Sequence, residues 1–111
     1  MKVLHLNSSN FDATLAETTL PVLVDFHAEW CGPCKMLGPV IEQIAAAKAG
    51  VAVVAKVDID AAPELAMRYR IHSVPTIIVF KDGHPIVATR GVASKSDLES
   101  MISEAAGSVG G

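Results

Sequence analysis

A chain of 111 residues, half of them hydrophobic and 19% charged, has enough apolar material for one folded core and no room for a second. A formal net charge of −3, with no cluster of Lys and Arg, excludes a surface built to neutralise nucleic-acid phosphates. No apolar run approaches the roughly 20 residues that cross a bilayer, and "MKVLHLNSSN" lacks the apolar stretch of a secretory signal, so the expected location is the cytoplasm.

In chain order, "KVLHL" (2–6) predicts a short first strand, and Ser9 three residues before Asp12 marks the start of a helix. "PVLVDFHA" (21–28) is almost continuously apolar and β-branched, the pattern of a strand covered on both faces. From Pro33 the pattern turns helical: Leu37, Ile41 and Ile44 share a face, Ala45 to Ala49 extend it, Gly50 stops it, and Pro39 should kink it. "VAVVAKVDID" (51–60) is a further buried strand, and "APELAMRYR" a short helix with Pro63 in its first turn. "TIIVF" (76–80) and "PIVATR" (85–90) flank Asp82-Gly83, a hairpin turn signal, and Ser94 with Asp97 opens a last helix that reaches about Ala106. The order β-α-β-α-β-α-β-β-α predicts an α/β fold: a mixed five-stranded sheet flanked by four helices in one domain, 1–106, with a short flexible tail, 107–111.

The only two cysteines lie two residues apart in "FHAEWCGPCK" (26–35), and reducing compartments keep ordinary thiols unpaired unless they are catalytic or redox-sensing. Cys31 falls where a buried strand gives way to a helix, so free backbone N–H groups and the positive end of the helix dipole favour its thiolate, the form that attacks disulfides. Cys34 comes one turn later on the same face, within reach of a short disulfide. Gly32 admits the tight backbone, and Pro33 stiffens the loop at no cost in hydrogen bonds. A half zinc site is the competing reading of such a pair. Four ligands would be needed, yet His5, His27, His72 and His84 are scattered and no second pair of cysteines exists, so no metal is expected.

"WCGPCK" after "DFHAE", followed by "KVDID" and "SVPT", resembles the thioredoxin family over essentially the whole chain and in the family's order. The resemblance implies the thioredoxin fold and a protein-disulfide reductase: Cys31 attacks, Cys34 resolves the mixed disulfide, and a Cys31–Cys34 disulfide is the product. No cofactor is implied on the chain itself. NADPH enters indirectly, through a flavoprotein thioredoxin reductase that recharges the dithiol; ferredoxin is the alternative electron source. Asp25, an ionisable residue inside "VLVDF", is costly to bury without a task, and burial raises its pKa. The family's matching Asp is the proton acceptor for the resolving cysteine, and Lys56 matches the Lys beside it. Pro75 is a poor residue inside a strand and so begins one; by resemblance its bond to Val74 is cis and faces the cysteines. Trp30, Ile59, Val74, Pro75, Gly91 and Val92 would then form the docking surface for disulfide-containing client proteins, although Trp30 and Val92 read equally well as ordinary core residues. Lys35 adds positive potential next to Cys34.

The chain departs from the family pattern at His27, where a bulky aromatic residue is common, and at His72, where a longer basic residue is frequent. His27 reads either as a titrating group that tunes the dithiol or as a neutral ring packed against the active-site helix. Two other functions stay open: a scaffold that binds partners through the groove around Trp30 and Pro75, and a more oxidising disulfide exchanger. A monomer is expected, with no nucleic-acid or membrane partner.

Overall fold

The alternation of side chains along each strand sorts the apolar residues of this protein into two layers, one on each side of a sheet. The computed structural model describes residues 2–108. Five strands, β1 (Leu4–Leu6), β2 (Val22–His27), β3 (Val53–Asp58), β4 (Thr76–Lys81) and β5 (His84–Arg90), form one sheet in the order β1-β3-β2-β4-β5. β3 pairs in parallel with both β1 and β2, whereas β4 runs antiparallel to β2 and to β5. Four helices complete the chain: α1 (Phe11–Ala16), α2 (Gly32–Ala47), α3 (Pro63–Arg68) and α4 (Lys95–Ala106).

On one face Leu23, Val54, Ile77 and Val79 pack against Leu37, Ile41 and Ile44 of α2 and Leu98 and Ile102 of α4. On the other, Val22, Val24, Phe26, Ile78 and Phe80 pack against Phe11 and Leu15 of α1 and Leu65 of α3. Phe11, Phe26, Tyr69 and Phe80 join there in edge-on and tilted ring contacts, with centroids 5.1 to 6.2 Å apart. Burying a large apolar side chain of this kind contributes about 1.5–3 kcal/mol, so the first of these layers holds α2 firmly against the sheet.

Element order follows the sequence reading; several ends do not. α1 begins at Phe11 behind Asn10, whose side chain accepts from the Asn7 N–H and makes no cap, and Ser9 is engaged elsewhere. The Ser9 hydroxyl donates to Asn7 Oδ1 at 2.6 Å, and the same oxygen accepts from the Ser9 and Asn10 backbone N–H groups, forming a local turn. The Ser94 signal holds: Asp97 N–H donates to Ser94 Oγ at 3.0 Å, and Ser94 N–H donates to Asp97 Oδ2. α2 runs as one helix through Pro39 and ends at Ala47, with Gly50 beyond it at φ +81°. Asp82 and Gly83 both take positive φ, as the tight hairpin turn requires. Gly107 caps α4, and the Ser108 N–H donates to the Ala105 carbonyl, so the first two residues of the expected tail continue the helix end. The remainder of that tail, 109–111, lies outside the described residues.

Candidate active site

β2 delivers its C-terminal end directly into the turn that carries the cysteines. Cys31 N–H donates to the Ala28 carbonyl, and Cys31 then takes extended φ/ψ as the N-cap of α2. The Cys34 N–H donates to Cys31 Sγ at 3.2 Å, so the sulfur occupies the position in which a capping oxygen ordinarily satisfies a free helix N–H. Cys31 and Cys34 are joined by a disulfide, with Cα atoms 5.3 Å apart. Gly32 and Pro33, both exposed, form the first turn between them. Cys31 and Cys34 are only 4% and 5% exposed, packed with Ala28 and flanked by Ile59 and Val74.

The Val74–Pro75 peptide is cis, and the Val74 carbonyl oxygen lies 3.7 Å from Cys31 Sγ. Gly91, at φ +86°, donates its N–H to the Pro75 carbonyl at 2.8 Å and ties the end of β5 to this loop. Trp30 is 69% exposed and Val92 51% exposed, so neither packs in the core. Sequence reading missed the partner of Trp30: its indole Nε1 donates to Asp60 Oδ2 at 2.8 Å. The only signal was the second acidic residue of "KVDID", whose backbone N–H donates in turn to Asp58 Oδ1.

Asp25 is fully buried in the middle of β2, with neither carboxylate oxygen hydrogen-bonded. Loss of hydration pushes its pKa up from 3.8 to about 6, and the positive charge of Lys56 opposes that rise. Lys56 stands opposite Asp25 in the β2–β3 register, and His27 stands opposite Asp58 two positions on. His27, Lys56, Lys35 and Cys34 line a cavity of about 350 Å³ that opens to solvent behind the active-site turn. Burial and the nearby Lys56 lower the pKa of His27, more than Asp58 raises it. His72 is exposed, as expected of a solvated surface group. Among the described residues, no group of three or more His, Cys, Asp or Glu is placed to hold a metal ion, and no helix is long and apolar enough to cross a membrane.

A bridged cysteine pair that caps a helix and is faced by a backbone carbonyl defines a thiol–disulfide exchange centre. Comparisons with known proteins agree. The family model for thioredoxin matches residues 2–104. A thioredoxin from Mycobacterium tuberculosis is 42% identical over 101 residues, covering 91% of this chain and 87% of the relative. A bifunctional thioredoxin reductase/thioredoxin from Mycobacterium leprae is 41% identical over 95 residues, 86% of this chain and 21% of that protein. Among solved structures, chloroplastic thioredoxin z superposes with a TM-score of 0.85 at 30% identity, covering 95% of each chain. The chain belongs to the thioredoxin family, and its activity is that of a thiol–disulfide oxidoreductase acting on protein disulfides.

Proposed function

We propose that Cys31 is the attacking sulfur, Cys34 the resolving one, and that the structure corresponds to the spent, oxidised state of a two-electron carrier. The observation that carries this assignment is the position of Cys31 Sγ, which caps α2 and faces the Val74 carbonyl. In the reduced protein the Cys31 thiolate attacks one sulfur of a client disulfide; a mixed disulfide forms and the first client thiolate leaves. Cys34 then gives up its proton and attacks Cys31 Sγ. The second client thiolate departs, the client has gained two electrons, and the Cys31–Cys34 bond is restored.

Asp25 is the proposed proton acceptor for Cys34, because a pKa of about 6 places it near the range in which a carboxylate can both take and return a proton at neutral pH. Lys56 holds the ionised form by its charge, and His27, kept neutral by burial, belongs to the wall of the solvent opening rather than to the exchange step. Lys35, exposed beside Cys34, adds weak positive potential. The exposed faces of Trp30 and Val92, with Ile59, Val74, Pro75 and Gly91, form the client-docking surface, along which an extended segment adds backbone hydrogen bonds. A flavoprotein thioredoxin reductase drawing on NADPH is the proposed electron source, and the fused reductase/thioredoxin of M. leprae supports that pairing. The protein acts as a monomer in the cytoplasm and binds no cofactor of its own.

The test is the equilibrium redox potential of the Cys31–Cys34 pair against a defined dithiol buffer, combined with Cys34→Ser. A potential below the cytosolic glutathione poise and a stable mixed disulfide on Cys31 in the variant support the carrier. A potential at or above the poise would transfer the assignment to an oxidising exchanger, and partner binding that survives Cys31→Ser without any reduction would favour the scaffold.

A further inference from the structure

Between the end of α3 and the outer edge of the sheet lies a second cavity, of about 300 Å³, whose floor includes Tyr69, Ile78 and Ala88. Two arginines, Arg70 and Arg90, stand in its walls together with Thr89. Among the described residues, neither guanidinium has a hydrogen-bond or ion-pair partner, whereas nearby Arg68 is fixed to Asp12 at 2.7 Å and lies over the Tyr69 ring. Arg70 takes φ +55° because it closes α3: its N–H donates to the Met67 carbonyl and the Ile71 N–H to the Ala66 carbonyl, the bonds of a left-handed helix end. Two unpartnered forks of N–H donors in the walls of one cavity are suited to receive an anion.

Both walls lead to the docking loop. Residues 69–71 lie three to five positions before Val74, and Arg90, in register with Thr76, precedes Gly91, whose N–H holds the Pro75 carbonyl. Guanidinium groups match the planar geometry of a carboxylate with two parallel hydrogen bonds, and the apolar floor suits the methylenes that carry it. Since the chain as a whole carries a net charge of −3, attraction for an acidic segment must come from a local feature rather than from the overall field. We infer that this cavity is a carboxylate subsite that holds an acidic side chain of the client protein, a few residues along from the attacked disulfide. The inference rests on the reductase reading and adds a client preference to it.

Two peptides test it, each closed by a single disulfide and identical except that Glu residues beside one cysteine are Gln in the second. The reduced full-length protein should oxidise roughly three- to tenfold faster with the acidic peptide at low ionic strength, and salt should narrow that gap. In Arg70→Asn, which keeps a residue tolerant of positive φ, and in Arg90→Gln, the ratio of the two rates should fall to about one; in the distant Lys2→Gln it should not. An equal rate for both peptides, an unchanged ratio in the arginine variants, or the same loss in Lys2→Gln would overturn the subsite. Binding of each peptide to the bridged protein is read separately. A retained, arginine-dependent preference for the acidic peptide without any reduction would support the subsite and overturn the reductase reading instead.

Discussion

Trp30 and Asp60 are joined by a 2.8 Å hydrogen bond from the indole Nε1 to Oδ2, across the mouth of the active site and thirty residues apart in sequence. A large exposed aromatic ring would otherwise sample several rotamers, and ordering one of them on binding would cost free energy. The bond fixes the ring before a client arrives. Asp60→Ala should leave the melting temperature nearly unchanged, since the pair is exposed, while client reduction slows a few-fold and the fluorescence anisotropy of Trp30 falls. An unaltered anisotropy would show that the ring is held by something else.

Asp25 makes a stability prediction with a definite sign. Its folded pKa of about 6 lies above the value of 3.8 expected when unfolded, so the folded state prefers the protonated form. The contribution is most favourable below pH 3.8 and is lost as pH rises through about 6. By neutral pH the penalty is on the order of 3 kcal/mol. Asp25→Asn should therefore be more stable than the parent at pH 7 to 8, with the difference shrinking towards pH 4, as measured by denaturant titration. The same substitution should slow resolution of a mixed disulfide and remove its rise between pH 5 and 7; a variant that resolves at the parent rate across that range would remove Asp25 from the exchange step.

His27 works in the opposite direction. Burial and Lys56 lower its pKa below 6.5, so the folded state prefers the neutral ring. Stability from this residue is complete above pH 6.5 and is lost as pH falls through the lowered value, because the unfolded chain then binds the extra proton. His27→Phe should consequently lose less stability than the parent on acidification from pH 7 to 5. Comparing the two melting curves pair by pair across that interval decides the point.

The helix starts yield a paired prediction. Ser94→Ala removes a reciprocal cap on α4 and should cost about 1 kcal/mol. Ser9→Ala, at a position with the same sequence signature, removes only a hydroxyl bonded to Asn7 and should shift the unfolding midpoint much less. Equal losses would mean that the Asn7 turn stabilises α1 as strongly as a true cap.

Those two serines also show where sequence reading reaches its limit. Apolar patterning identified the buried strands and α2 because burial on a defined face is a property of spacing, and spacing is written in the chain. The Ser9 signal misled because a side-chain oxygen has several local partners, and Asn7 won the competition. The Cys31–Cys34 pairing and the burial of Asp25 were legible because two lone cysteines in one turn and a carboxylate inside an apolar strand are each chemically out of place. Asp60 and the Arg70–Arg90 cavity were not, because an exposed charged residue carries no sign of its partner until tertiary structure sets its direction. Trp30 and Val92 were ambiguous for the same reason: an apolar residue reads alike whether it is bound for the core or for a client.

One consequence follows from the direction of β4. Because that strand runs against β2, its first residue lies at the same edge of the sheet where β2 ends, and the segment before it meets the segment after β2. Had the strand run the other way, the Val74–Pro75 corner would stand at the far rim, about 20 Å off for a strand of six residues. The exchange centre is thus composed by a reversal of chain direction, and half of it is contributed from more than forty residues downstream of the sulfurs. A transplanted Cys-Gly-Pro-Cys turn would carry the sulfurs into a new host without the wall they face.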